Sequence, residues 1–260
     1  MRSQTRRWWE RKLICVPATL LVVSAAHVHG QNVDTVRVGG RALHTEWIQP
    51  TTDTLALFIR KGAVDRPVAT LIGSVTRAVV DGQAAWLLVQ AYHTPSGDNV
   101  DSSVVLAATL APVRYSSIAA NSNERFTFAD TLITGTVTPR DSAQREIRLQ
   151  LREPVFNAVV DNAMIVAALP LAEGYAATYR SYNPPRGFGT TMLRVSGAER
   201  LQTARGVVDA WIVSLDAGGA PTTLWVDTRT HRVIRLRAAL AGGAEFWKLP
   251  AADQVYVVPK

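Results

Sequence analysis

The chain has 260 residues, 47% of them hydrophobic, with 28 Lys and Arg against 21 Asp and Glu; that length suits one large β domain or two small ones, with a core that needs no disulfides. Five basic residues and one acidic residue fall in the first thirty, so the formal charge of +7 drops to +3 for the remainder, and this mild excess, without a basic run interleaved with aromatics, argues against a nucleic-acid partner. The single cysteine, Cys15, also lies there, which leaves Gln31 onward without a thiol nucleophile, a thiolate metal site or a redox pair.

Arg2, Arg6, Arg7, Arg11 and Lys12 precede an apolar run from Leu13 to Ala26 and a small-residue boundary at Val28-His29-Gly30. This is the three-part layout of a secretory signal peptide. The run is shorter than the ~20 residues that span a bilayer as a helix. The pattern therefore predicts a signal over residues 1–30, a mature chain from about Gln31 with no transmembrane span, and residence in the periplasm or outer envelope of a Gram-negative-type bacterium. Cys15 follows Lys12-Leu13-Ile14 and not the small residues of a lipobox, which disfavours a lipid anchor. Thr5-Arg6-Arg7-Trp8-Trp9 resembles a twin-arginine signal, but Glu10 stands where that motif has an apolar residue, so an ordinary basic start is favoured.

Residues 31–67 read as an N-terminal arm with first strands: Val33 to Val38 alternates, Glu46 to Pro50 is a loop or short turn, and Leu55 to Arg60 is a second strand candidate. From Val68 to the end the chain reads as short strands joined by turns, and 31–260 is treated as one domain. Asp81-Gly82 separates Leu71–Val80 from Ala84–Tyr92 and suits a tight hairpin, whose two central residues need positive φ. Ser96-Gly97-Asp98 is a further turn. Phe126 and Phe128 share the dry side of one strand, and Ile147, Leu149 and Leu151 alternate with Arg148, Gln150 and Arg152 in another. Trp211, Val213 and Leu215, then Ile234, Leu236 and Ala238, repeat the pattern, with turns at Ala217 to Pro221 and Asp227 to Thr230. Consecutive strands with short connections predict a mainly β protein, a large antiparallel meander. Such a sheet twists and curls into a barrel or half-barrel.

One segment breaks this rhythm. Glu153-Pro154 opens a mostly apolar run, Val155 to Leu169, closed by Pro170. Proline placement at both ends fits a helix, and a helix apolar around most of its girth must be buried, here against the concave face of the sheet. A buried strand with β-branched residues is the competing reading.

The ordered series Asp101-Ser102-Ser103-Val104-Val105, Leu110-Ala111-Pro112-Val113-Arg114-Tyr115, Leu169-Pro170-Leu171, Gly174-Tyr175, Val195-Ser196-Gly197-Ala198-Glu199, Gly206 with Asp209-Ala210-Trp211, Leu224-Trp225-Val226-Asp227 and Arg232 to Leu236 resembles a secreted family of unknown function, the one numbered 3108. The resemblance covers roughly Val68 to Leu240. It implies a likeness in architecture to the LolA and LolB lipoprotein carriers, which hold acyl chains between a curled sheet and covering helices. It supplies no catalytic residues.

Motifs for chemistry are absent. His44, His93 and His231 lack metalloprotease spacing, and His93, Asp98 and Asp101 lack the order of a calcium loop; no metal or cofactor is expected. Ser74 has no second glycine for a nucleophile elbow. Glu199 and Asp209 are an ordinary carboxylate pair on a sheet surface, with acid–base work as the minor reading. Tyr182 to Gly189 reads as a long hairpin loop between Tyr175–Ser181 and Thr191–Val195. Arg232, Arg235 and Arg237 are a solvated strand face, or a basic rim for anionic headgroups. Aromatic rings on one side of a curled sheet either fill the core or line a pocket. The candidate ligand-binding residues are Trp86, Phe126, Phe128, Phe156, Met164, Trp211 and Trp225. The leading expectation is an exported, non-enzymatic envelope protein that binds a lipid or other apolar ligand between sheet and helix. The alternatives are an envelope scaffold with a filled core and a protein partner, and, third, a hydrolase.

Overall fold

The computed structural model describes residues 33–157, 162–184 and 187–254; the signal-like segment 1–30 lies outside them. Alternating side chains fold the N-terminal half into β1 (Asp34–Val36), β2 (Thr51–Lys61), β3 (Val64–Val80), β4 (Gln83–Thr94), β5 (Gly97–Leu106), β6 (Pro112–Ile118), β7 (Ser122–Ala129), β8 (Leu132–Pro139) and β9 (Arg145–Gln150). After β10 (Phe156–Asn157) and α1 (Asn162–Ala167) come β11 (Ala176–Asn183), β12 (Gly187–Thr203), β13 (Gly206–Asp216), β14 (Thr222–Asp227), β15 (Val233–Ala239) and β16 (Glu245–Pro250).

All sixteen strands form one sheet, in the order β1-β11-β12-β13-β14-β15-β16-β2-β3-β4-β5-β6-β7-β8-β9, with β10 also on β11. Nearly every pair is antiparallel, as the short turns predict. Asp81 and Gly82 close the β3–β4 hairpin at φ +49° and +77°, the left-handed conformation that a two-residue turn requires. The chain does not simply meander outward from its N-terminus: β2 lies in the interior of the sheet, between β16 and β3, so that Phe58 faces both Trp247 and Pro67.

The sheet curls without closing into a barrel. Tyr182 of β11 packs on Phe126 and Phe128 of β7, with centroids 5.9 and 6.5 Å apart, although eleven steps of the ladder separate the two strands. Residues that alternate inward along β4, β5, β7, β8, β12, β13 and β14 meet in one core with α1. The opposite face carries a smaller cluster around Leu201, Ala210 and Trp225.

The segment after Pro154 departs from the expected single helix. Phe156 and Asn157 form β10, which pairs in parallel with Ser181 and Tyr182, and the helix spans only Asn162–Ala167; residues 158–161 lie outside the described set. The cause is the exposed edge of β11. Short β1 covers that edge at Ala177–Tyr179 and β10 covers it at Ser181–Tyr182, satisfying backbone groups that an edge strand leaves open. Pro170 then ends the apolar run after a tightened last turn, Leu169 N–H donating to the Val166 carbonyl. The expected burial is present: Met164, Ile165 and Val166 are all buried. Asn157 Nδ2 donates to Ser103 Oγ at 3.3 Å in a site with no solvent exposure, and Tyr179 Oη donates to Asn162 Oδ1 at 3.0 Å. These bonds fix β10 and α1 to the inner face. The expected loop at Tyr182 to Gly189 is also shorter, because pairing continues to Asn183 and Gly187. Phe188 packs against Tyr182 at a tilt, 5.0 Å between centroids, within the extended hairpin.

Candidate functional site

Where β4 begins and β5 ends, the sheet leaves one end of its inner face uncovered. The segment from Gly39 to Ile48 straps across this end. Gly39 N–H donates to the Thr109 carbonyl at 2.9 Å, and His44 N–H donates to the Ala168 carbonyl at 2.7 Å. A 3-10 turn at Thr45–Trp47 follows. Trp47 contacts two imidazoles: His44 stacks on it at 4.1 Å, and His231, from the β14–β15 turn, lies tilted against it at 4.3 Å. His231 sits at φ +56°, and burial pushes its pKa down while nearby Asp227 pulls it back up.

Between strap and sheet lies an open cleft of about 490 Å³. Its walls are Ile48 from the strap, Ala84 and Trp86 from β4, and Leu106, Ala107 and Ala108 at the end of β5, with Arg77 of β3 and Glu46 at the rim. That volume falls within the roughly 300–1,000 Å³ of small-molecule sites. Trp86 is 3% exposed, and its indole Nε1 is buried with no acceptor among the described residues. The Arg77 guanidinium lies over the indole, 5.1 Å from its centroid. Next to the lining residues, Leu110 is held at φ +54° and is 1% exposed. A non-glycine residue in this region is strained, and such strain gathers where backbone placement serves a site.

The space between helix and sheet is filled. Phe156, Ile165, Val166, Ala168 and Leu169 are each at most 1% exposed. The seven sequence candidates are therefore distributed. Trp86 lines the cleft. Phe126, Phe128 and Met164 belong to the packed core, and half-buried Trp211 packs against it. Phe156 is in that core and also borders a small cavity of about 70 Å³ at the β1–β10 junction. Trp225 lies on the opposite face of the sheet.

On that opposite face Trp225 stacks on Trp247 at 5.9 Å, and Trp247 on Phe58 at 6.5 Å. Arg60, Arg235 and Arg237 lie over these rings at 5.1 to 5.8 Å in their closest contacts. The arginines read from sequence as a solvated face or basic rim thus cover an aromatic ladder, while Arg232 pairs with Asp53. Glu199 accepts the Trp225 indole N–H, and Asp209 pairs with Arg200 at 3.3 Å. His93 pairs with Asp98 in an exposed hairpin, at 3.1 Å.

Sequence reasoning missed a polar row on the inner face. Gln90, Asp101, Ser117 and Glu124 stand opposite one another across β4 to β7, beside Tyr92 and Tyr115. Burial pushes the Asp101 carboxyl pKa up, with Ser117 and Tyr115 pulling it back by hydrogen bonding. Burial and the Asp101 charge push Glu124 up, and burial pushes the Tyr92 phenol up to about 12. Lys248, half-buried on the same face, is pushed down to about 8 by desolvation, with Asp53 pulling it back. Folded-state pKa values raised above the unfolded ones mean that the folded protein binds the proton more tightly. The stabilisation from Asp101 and Glu124 is thus complete below the ordinary carboxylate pKa and is lost as pH rises through their raised values. Asp101→Asn is expected to raise Tm near pH 7 by about 2 °C, solvent screening included, and to leave it unchanged near pH 3, as thermal unfolding at both pH values would measure. Among the described residues no group of three or more His, Cys, Asp or Glu is placed to hold a metal ion.

A family model described as "Protein of unknown function (DUF3108)" matches residues 64–246. No curated protein and no solved structure matches the chain.

Proposed function

The chain belongs to the DUF3108 family, and from that membership, the signal-like N-terminus and the cleft geometry we propose an exported, non-enzymatic envelope protein that binds an apolar ligand beside Trp86. The cleft carries this reading: about 490 Å³ lined mainly by Trp86, Ile48, Leu106 and three alanines, with Thr45, Gln83 and Thr109 beside them. Its position differs from the sheet–helix space suggested by a LolA- or LolB-type carrier, because that space is occupied by the chain's own side chains. Ligand sites at the mouth of a curled sheet are a common arrangement. An envelope scaffold is the second reading, favoured by the close packing of α1 against the sheet.

The test uses the environment-sensitive dye N-phenyl-1-naphthylamine. The purified protein is expected to bind it saturably. Ala108 is an exposed residue of the cleft wall, so Ala108→Trp fills the cleft without disturbing the core. This variant is expected to weaken dye binding at least about tenfold, roughly the loss of one well-placed apolar contact, with Tm unchanged. Absence of saturable binding, or equal binding by the variant, overturns the ligand reading and leaves the scaffold.

A further inference from the structure

The cleft is lined mainly by apolar side chains, with Thr45, Gln83 and Thr109 among them, and its two charged residues are Arg77 and Glu46. These two charges are not equivalent. Glu46 is engaged: His44 Nδ1 lies 3.1 Å from Oε1, and hydrogen bonds from its own backbone and His44 hold its carboxyl below the usual range. Arg77 makes no ion pair or hydrogen bond among the described residues. Its contact with the Trp86 face leaves the guanidinium N–H groups, which lie around its edge, free to donate. A planar guanidinium over an indole is a preorganised anion receptor, since the ring fixes its orientation while its donors point outward. Beneath it the Trp86 indole is almost wholly buried, so Arg77 is the group that a ligand head at the rim meets first.

We propose that the cleft selects a single-chain amphiphile with an anionic head, whose head group binds Arg77 and whose tail lies against Trp86, Ile48 and Leu106. This deepens the apolar-ligand reading and rests on it. A neutral chain of the same length fills the same walls but leaves the guanidinium unused. A cationic chain places its charge against Arg77. Head-group preference is therefore set by one exposed β3 side chain, whereas chain affinity is set by the walls.

The experiment is displacement of N-phenyl-1-naphthylamine from the purified protein by four twelve-carbon amphiphiles below their micelle-forming concentrations: dodecanoate, dodecyl phosphate, neutral dodecyl maltoside and dodecylammonium. The two anions are expected to displace the dye at about one-tenth the concentration of the neutral chain, the difference a single charge-assisted hydrogen-bonding group supplies, and the cation at a higher concentration than either. Arg77→Gln is expected to bring anionic and neutral chains within about twofold of one another, and Arg77→Lys to restore part of the preference. Dodecanoate ahead of dodecyl phosphate indicates a fatty carboxylate; the reverse order indicates a phosphorylated chain. Equal displacement by charged and neutral chains, or a preference that survives Arg77→Gln, overturns the head-group proposal alone. Failure of the dye to bind overturns the ligand reading as well.

Discussion

Phe156→Ala is expected to destabilise the protein by about 4 kcal/mol, the cost of truncating a fully buried phenylalanine with its transfer and cavity terms. Phe156 is 1% exposed and meets Tyr179 edge-to-face, with centroids 5.9 Å apart. It also anchors β10, whose neighbour Asn157 donates to buried Ser103. The cavity cannot collapse easily, because β10 is held by pairing to β11 on one side and by that hydrogen bond on the other. For a chain of this size the loss corresponds to a Tm about 12 °C lower. Thermal unfolding measures it, with Val79→Thr as the control: Val79 is 73% exposed, so the substitution is expected to fall within about 0.5 kcal/mol of the parent. A Tm change of only a few degrees for Phe156→Ala would mean that the space under α1 is loosely filled, and the scaffold reading would lose its main support.

Gly135→Ala is expected to be nearly as damaging despite adding one methyl group. Gly135 of β8 faces Phe126 of β7, and the aromatic ring lies across the glycine. A Cβ there would fall well inside van der Waals contact distance of the Arg125 carbonyl oxygen and 2.7 Å from Phe126 Cδ1. Phe126 is itself confined between Tyr115 at 6.2 Å and Tyr182 at 5.9 Å, so it cannot move aside without disturbing the contact by which β7 meets β11. Overpacking of this kind costs about 3 kcal/mol. Urea unfolding is expected to show a lower midpoint with the slope little changed. If Gly135→Ala is neutral, the ring does not occupy the position described.

Strand periodicity made most of this architecture legible. Phe126 and Phe128 are buried while their neighbours are exposed, and the Asp81-Gly82 turn has the backbone its composition demands. The length of the meander implied the curl. What stayed hidden depends on register or on distant segments. An apolar run has no period that separates a short strand from a helix, so β10 merged with α1. Arg235 and Arg237 read as solvated because alternation places them outward, but cross-strand register sets them over Trp225 and Trp247. Trp86 was readable as a pocket candidate. Its cleft was not, since the walls come from the 45–48 turn, the β3–β4 tip and the end of β5, and no local pattern announces that these meet. The Asp101 and Glu124 row was missed for the same reason: its members are unremarkable along the chain and become neighbours only through pairing.

The junction of β2 with β16 has a consequence for assembly. Each half of the chain can build its hairpins from nearby segments, but the seam joining them, Leu55–Arg60 against Glu245–Pro250, needs the second strand and the sixteenth. A chain made from its N-terminus keeps the outer side of β2 unsatisfied until β16 has been made. Such long-range closure is slow, and an unsatisfied border invites pairing with other chains in the meantime.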